Sequence, residues 1–179
     1  MFNSYRTDVE TALQGVPSVY VDEAVNVLRK ARLESFTVFI VGNGGSAATA
    51  SHFANDLVKM CGVRAYSLSD MIPLVTAYGN DDEWENMYRE PLTRLMSPQD
   101  ILISISCSGN SPNVVEAARM VRERRIAGNS IALIGSDRKC ELARLADVII
   151  DVPFKDIRVQ EDCHMVICHA IAGLLRSGT

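Results

Sequence analysis

A chain of 179 residues, 47% of them hydrophobic, is long enough to bury one substantial core and short for two. Charged residues make up 22%, as in ordinary soluble proteins, and a net charge of −4 without any basic tract argues against non-specific nucleic-acid binding. No apolar run approaches the roughly 20 residues that span a bilayer, and the opening "MFNSYRTDVETALQGV" lacks the basic-then-apolar pattern of a secretory signal.

The first 35 residues read as helical, with "VYVDEAVNVLRKAR" (19–32) amphipathic. The apolar run "TVFIV" (37–41) predicts a strand, and "SAATASHFANDLVKM" (46–60) a helix after it; "RAYSL" (64–68) is a weaker strand candidate. "ILISIS" (101–106) is a further strand, and it leads into a helical pattern over 111–126. There Val114, Val115, Ala118, Met120 and Val121 line one side, while Glu116, Arg119, Arg122 and Glu123 face outward. Pro112 sits near the first helical position, where its missing N–H costs little. "SIALIG" (130–135) and "DVIIDV" (147–152) complete the strands. The final helix, "EDCHMVICHAIAGLLR" (161–176), is apolar nearly all round, so part of its cover is expected from another subunit.

Nearly continuous apolar strands alternating with helices predict a parallel sheet buried on both faces, a doubly wound α/β sandwich over 36–179 preceded by a helical segment over 1–35. There is no internal repeat or linker, and the whole of 1–179 reads as one domain. The five cysteines (Cys61, Cys107, Cys140, Cys163 and Cys168) form no CxxC pair, which argues against a zinc ribbon or a disulfide framework. Free thiols predict a reducing, cytoplasmic location.

Two strands end in glycine-serine turns, "GNGGS" (42–46) and "SCSGNS" (106–111), and each opens a helix. Helix N-termini carry unpaired N–H groups and about half a positive charge, which suits an anion. Gly44 and Gly45 allow close backbone approach, and Ser46 offers a hydroxyl. Ser106, Ser108 and Ser111, with Gly109 and Asn110 between them, make a hydroxyl-rich cradle. Plain helix caps and tight turns use the same residues, so a single turn decides nothing. Neither turn fits GxGxxG or GxxxxGK[ST], so neither a dinucleotide nor a nucleoside triphosphate is favoured; the pair, one turn with three serines within six residues, points to a phosphate on a small molecule. Neither turn contains a lysine or arginine, so such a cradle would be neutral.

The three histidines are His52, His164 and His169. His52 and Asp56 share a helix face about 6 Å apart along the axis, as a metal half-site, an acid–base pair or a plain surface hydrogen bond. His164 and His169 lie about 140° apart around a helix, so one is expected to be catalytic or liganding and the other structural. Glu161 and His169 are about 12 Å apart along a straight helix. They share an ion only if Glu161 precedes the helix on irregular chain or another subunit supplies one of them. A buried ionisable histidine among Val166, Ile167, Cys168 and Ala170 needs a partner, expected to be a carboxylate across an interface or the substrate itself.

"GNGGSAATASHFANDL", "SLSDMIPLVTAYGND", "ISCSGNSPNVVEAA" and "QEDCHMVICHAI" together resemble the SIS (sugar isomerase) domain, above all its phosphoheptose isomerase (sedoheptulose 7-phosphate isomerase) branch, over nearly the whole chain. The resemblance implies a five-stranded parallel sheet between helices and a homotetramer with sites at subunit interfaces. It implies an aldose–ketose isomerase of heptose biosynthesis that takes a phosphosugar and works with zinc. Ser46, Ser106, Ser108 and Ser111 would hold the phosphate, Asn43 and Asp81 would contact hydroxyls, and Gly44, Gly45, Cys107 and Gln160 would complete the substrate contacts. His52, Asp56, Glu161 and His169 would hold the metal, with Asp56, Glu161 and His169 as the proton-transfer groups. The chain departs from the family pattern twice: the family glutamate is Asp56, one methylene shorter, and the family glutamine position falls on Glu161, with Gln160 one place early. Two alternatives remain open, a non-catalytic sugar-phosphate-binding module with a regulatory role and an isomerase of a different phosphosugar.

Overall fold

A computed structural model describes residues 2–124 and 130–177. In chain order the elements are α1 (Phe2–Gln14), α2 (Ser18–Glu34), β1 (Thr37–Gly42), α3 (Gly45–Cys61), β2 (Arg64–Ser67), α4 (Ile72–Asp81), α5 (Asn86–Leu95), β3 (Ile101–Ser106), α6 (Pro112–Glu123), β4 (Ser130–Ile134), α7 (Glu141–Leu145), β5 (Val148–Asp151) and α8 (Ile157–Ser177). A short 3₁₀ turn, Leu68–Asp70, follows β2.

The five strands are all parallel, in the order β2-β1-β3-β4-β5. Every residue of β3 and β4 is buried, as is β1 after Thr37, which is why these strands read as nearly continuous apolar runs. β2 lies at the edge and alternates, with Arg64 and Tyr66 exposed and Ala65 and Ser67 buried, hence its weaker signal. Val38, Ile40, Ile103 and Leu133 pack one face of the sheet against α1, α2, α3 and α8. Phe39, Val41, Leu102 and Ile134 pack the other against α4, α5, α6 and α7. Helices therefore cover both faces, as the alternating pattern predicts.

The chain leaves β1 toward β2 on one side and later returns to place β3 on the other. That reversal is the topological switch point, where the carboxyl ends of neighbouring strands leave a crevice. Gly42 of β1 pairs with Ile105 of β3, so the two glycine-serine turns emerge side by side. Spatial adjacency of turns about sixty residues apart is thus a product of strand order.

Several predicted boundaries shift. The helix expected over 111–126 ends at Glu123 with Arg124 in a turn, and positions 125–126 lie outside the described residues. α8 begins at Ile157 rather than 161, which puts Glu161 inside the helix. α4, α5 and α7 were not anticipated: α7 has only five residues, and α5 carries Pro91 in its interior.

Candidate active site

Both glycine-serine turns do more than cap helices. Gly44, which precedes α3, has φ 54° and ψ −123°, a conformation that favours glycine, and no side chain caps that helix. Ser111 stands at the N-cap of α6, yet it makes no capping bond; its Oγ lies 3.0 Å from Ser106 Oγ. Ser108 Oγ lies 3.3 Å from the same atom. Three hydroxyls thus gather around the end of β3 while two helix N-termini remain without side-chain caps. They face a pocket of about 130 Å³, walled by Asn43 and Ser46 from the first turn, Ser106, Cys107, Ser108 and Ser111 from the second, and Glu161 of α8.

The spacing between the turns is held by a polar network. Asn43 Nδ2 donates to Asn113 Oδ1 at 2.8 Å, and Asn113 Nδ2 donates back to Asn43 Oδ1 at 2.9 Å. The Gly42 carbonyl accepts from Tyr88 at 2.7 Å and from Ser69 at 3.0 Å. Burial pushes the Tyr88 hydroxyl pKa up, so it stays a donor. Asn113, Tyr88 and Ser69 escaped the sequence reading, because their partners lie 70, 46 and 27 residues away. Since Asn113 is wholly buried, Asn113→Ala strands the Asn43 amide and is expected to cost about 1–3 kcal/mol in denaturant unfolding. The same variant should raise KM for a phosphosugar.

A second cluster lies further along α3 and α8. Asp56 Oδ2 is 3.5 Å from His52 Nε2 and 3.8 Å from His169 Nε2, and the two rings meet edge to face with centroids 5.0 Å apart. One donor atom from each residue falls within 4.8 Å of the others. Asp56 is nearly buried, and the imidazoles are half exposed. Two imidazoles and a carboxylate form a donor set suited to a divalent transition metal with an open position.

The two C-terminal histidines separate as expected. Within the chain Asp56 faces His169 at 3.8 Å, and the ring is half exposed rather than buried, because this stretch of α8 turns it outward beside α3. His164 is wholly buried, with Nε2 donating to the Ile134 carbonyl at 3.0 Å and Nδ1 3.9 Å from Cys107 Sγ. Burial lowers its pKa to about 4, so it stays neutral. An unfolded histidine takes a proton below about pH 6.5, while the native one does not until about pH 4. The stability this group contributes is therefore full above pH 6.5 and is lost as pH falls to about 4, by about 3 kcal/mol in total. Urea unfolding across that window measures it, and the slope should flatten in His164→Asn.

Glu161 lies apart from the His52–Asp56–His169 cluster among the described residues. Because α8 already runs from Ile157, the irregular-chain route to a shared ion is closed within one subunit. The carboxylate instead sits over the first turn of α3, where a Cβ on Gly45 would come within 2.5 Å of it. Asp81 ends α4, is exposed and accepts from Asn80 at 2.8 Å; it is not on the pocket wall. Gln160 is buried with its amide donating to the Phe154 carbonyl, and it too is off the wall.

A switch-point pocket of hydroxyls and helix N-termini beside a His–Asp–His cluster defines a sugar-isomerase-type α/β protein, and the SIS domain family matches residues 5–134. A phosphoheptose isomerase from Trichlorobacter lovleyi is 36% identical over 157 residues, covering 82% of this chain and 78% of that one. One from Citrifermentans bemidjiense is 33% identical over 174 residues, covering 94% and 88%. The solved structure of the Neisseria gonorrhoeae phosphoheptose isomerase superposes with a TM-score of 0.87 at 28% identity, covering 98% of this chain and 95% of that one. The chain belongs to the phosphoheptose isomerase family of SIS-domain proteins and is a phosphosugar isomerase. No described helix is long and apolar enough to cross a membrane.

Proposed function

We propose that the protein interconverts sedoheptulose 7-phosphate and D-glycero-heptose 7-phosphate through a cis-enediol. One observation carries the reading: the serine pocket and the His–Asp–His cluster share the same two helices at matching depth. His52 lies seven residues beyond Gly45 on α3, and His169 eight beyond Glu161 on α8, about 10–12 Å in each case. An extended seven-carbon phosphoester spans about 10 Å from phosphorus to its first carbon, given about 1.5 Å per bond in a zigzag. The phosphate would anchor at Ser46, Ser106, Ser108 and Ser111, with the Asn43 amide beside it. Remote anchoring of this kind supplies binding energy that positions the reacting carbons.

At the other end, His52, Asp56 and His169 would hold a zinc ion, which when bound polarises the substrate's carbonyl oxygen. Asp56 would take the proton from C1 of the ketose and return it to C2. His169 would give a proton to the C2 oxygen and take one from the C1 hydroxyl, so the balance of protons is kept. Five free cysteines support a reducing, cytoplasmic setting. The whole chain would act as one domain in a homotetramer, with residues 1–35 packing between subunits; exposed Val166 and Leu174 on α8 support that cover.

The test is direct. Pure zinc-loaded protein is incubated with sedoheptulose 7-phosphate and aldose formation is followed. Conversion supports the reading; binding without conversion favours the regulatory module, and conversion of only another phosphosugar moves the substrate.

A further inference from the structure

The serine pocket suits an anion, yet the one charged side chain on its wall among the described residues is acidic. Hydroxyls, an amide, a thiol and two isoleucines make up the rest, with no lysine, arginine or histidine. Glu161 reaches the wall from α8: both carboxylate oxygens lie within 2.6 Å of where a Gly45 Cβ would stand, so the group rests over the bare backbone of the opening turn of α3. Its charge reaches the pocket, because after burial it is the next cause raising the Cys107 thiol, which stands at about 11. A carboxylate is an acceptor without a proton to give. It repels a bare phosphate and welcomes a hydroxyl.

We propose that Glu161 is a specificity-determining residue: its carboxylate admits phosphoesters bearing a hydroxyl on the carbon next to the ester carbon and turns away phosphate groups without one. This rests on the pocket being the phosphate anchor. A unit negative charge about 6 Å from a phosphate dianion weakens binding by about tenfold at the dielectric of water. A hydroxyl donated to the carboxylate restores a factor of similar size through a charge-assisted hydrogen bond, about tenfold. The pocket therefore takes a polyol phosphate, and free inorganic phosphate competes poorly for it.

The experiment compares glycerol 3-phosphate with n-propyl phosphate, which has the same carbon chain without hydroxyls, by titration calorimetry on the full-length, chelator-treated protein. Wild type should prefer glycerol 3-phosphate by about tenfold. Glu161→Ala should lose that preference and bind n-propyl phosphate about tenfold more tightly. Glu161→Gln keeps the shape without the charge, and should gain the same affinity for n-propyl phosphate while keeping part of the preference through its amide oxygen. A preference ratio unchanged in both variants, or no binding of either ester by any of the three proteins, overturns the proposal. Turnover is not read, so the two ideas fail separately. Heptose phosphate conversion with an unchanged ratio removes only the role of Glu161; a shifted ratio without conversion removes only the isomerisation.

Discussion

Asp56→Asn should lower kcat for sedoheptulose 7-phosphate by about 10²–10⁴, the range expected when a positioned proton-transfer group is removed. The substitution keeps size and shape. Among the described residues the Asp56 carboxylate accepts a weak bond from Asn55 at 3.3 Å besides its two imidazole contacts, so the fold should survive with little change in melting temperature. KM should move little, because the serine pocket proposed as the phosphate anchor lies about seven helical residues or more from this cluster. Zinc content after dialysis should fall together with activity, because Asp56 is the carboxylate shared by both imidazoles. His169→Ala should behave in the same way. Wild-type turnover in either variant would remove the cluster from the chemistry.

Gly109→Ala should destabilise the protein by about 2–4 kcal/mol and weaken phosphoester binding at the same time. Gly109 holds φ 64°, where any side chain is strained, and it lies inside the second serine turn. An added Cβ would fall 2.2 Å from Cys140 Sγ and 2.8 Å from Cys140 Cβ, a collision with a buried side chain at the start of α7. The same glycine carbonyl accepts from Leu142 N at 3.1 Å, so moving it disturbs the join between the turn and α7. Cys140→Ala in the same chain should recover the part of the loss due to the Sγ collision and leave the parts due to φ and to the Cβ contact. Equal stability of Gly109→Ala and wild type in urea would contradict this account.

Much of the architecture was legible in the sequence because burial on two faces imposes a simple pattern. β1, β3 and β4 are mostly apolar and almost wholly buried, and their ends are marked by Gly and Ser, whose turn chemistry is local. α4 and α5 were not legible. The first is short and has only Val75 buried, and the second contains a proline that ordinarily argues against a helix. In the site, the serines and glycines announced themselves by type, whereas Tyr88 and Ser69 carry no local mark of their bonds to Gly42.

The sequence by itself determined the parallel sandwich, the two anion-suited turns and the common helix face of His52 and Asp56, since each follows from periodicity or residue chemistry within a few positions. Only the tertiary structure decided what those pieces do together. Strand order set the two turns side by side, and the seating of α8 beside α3 at the end of β4 buried His164 under the Ile134 carbonyl while turning His169 toward Asp56. Within the subunit the same packing carried Glu161 to the serine pocket rather than to the histidines. Residues on one helix are sorted by what lies opposite each of its faces, and spacing along the chain cannot contain that information.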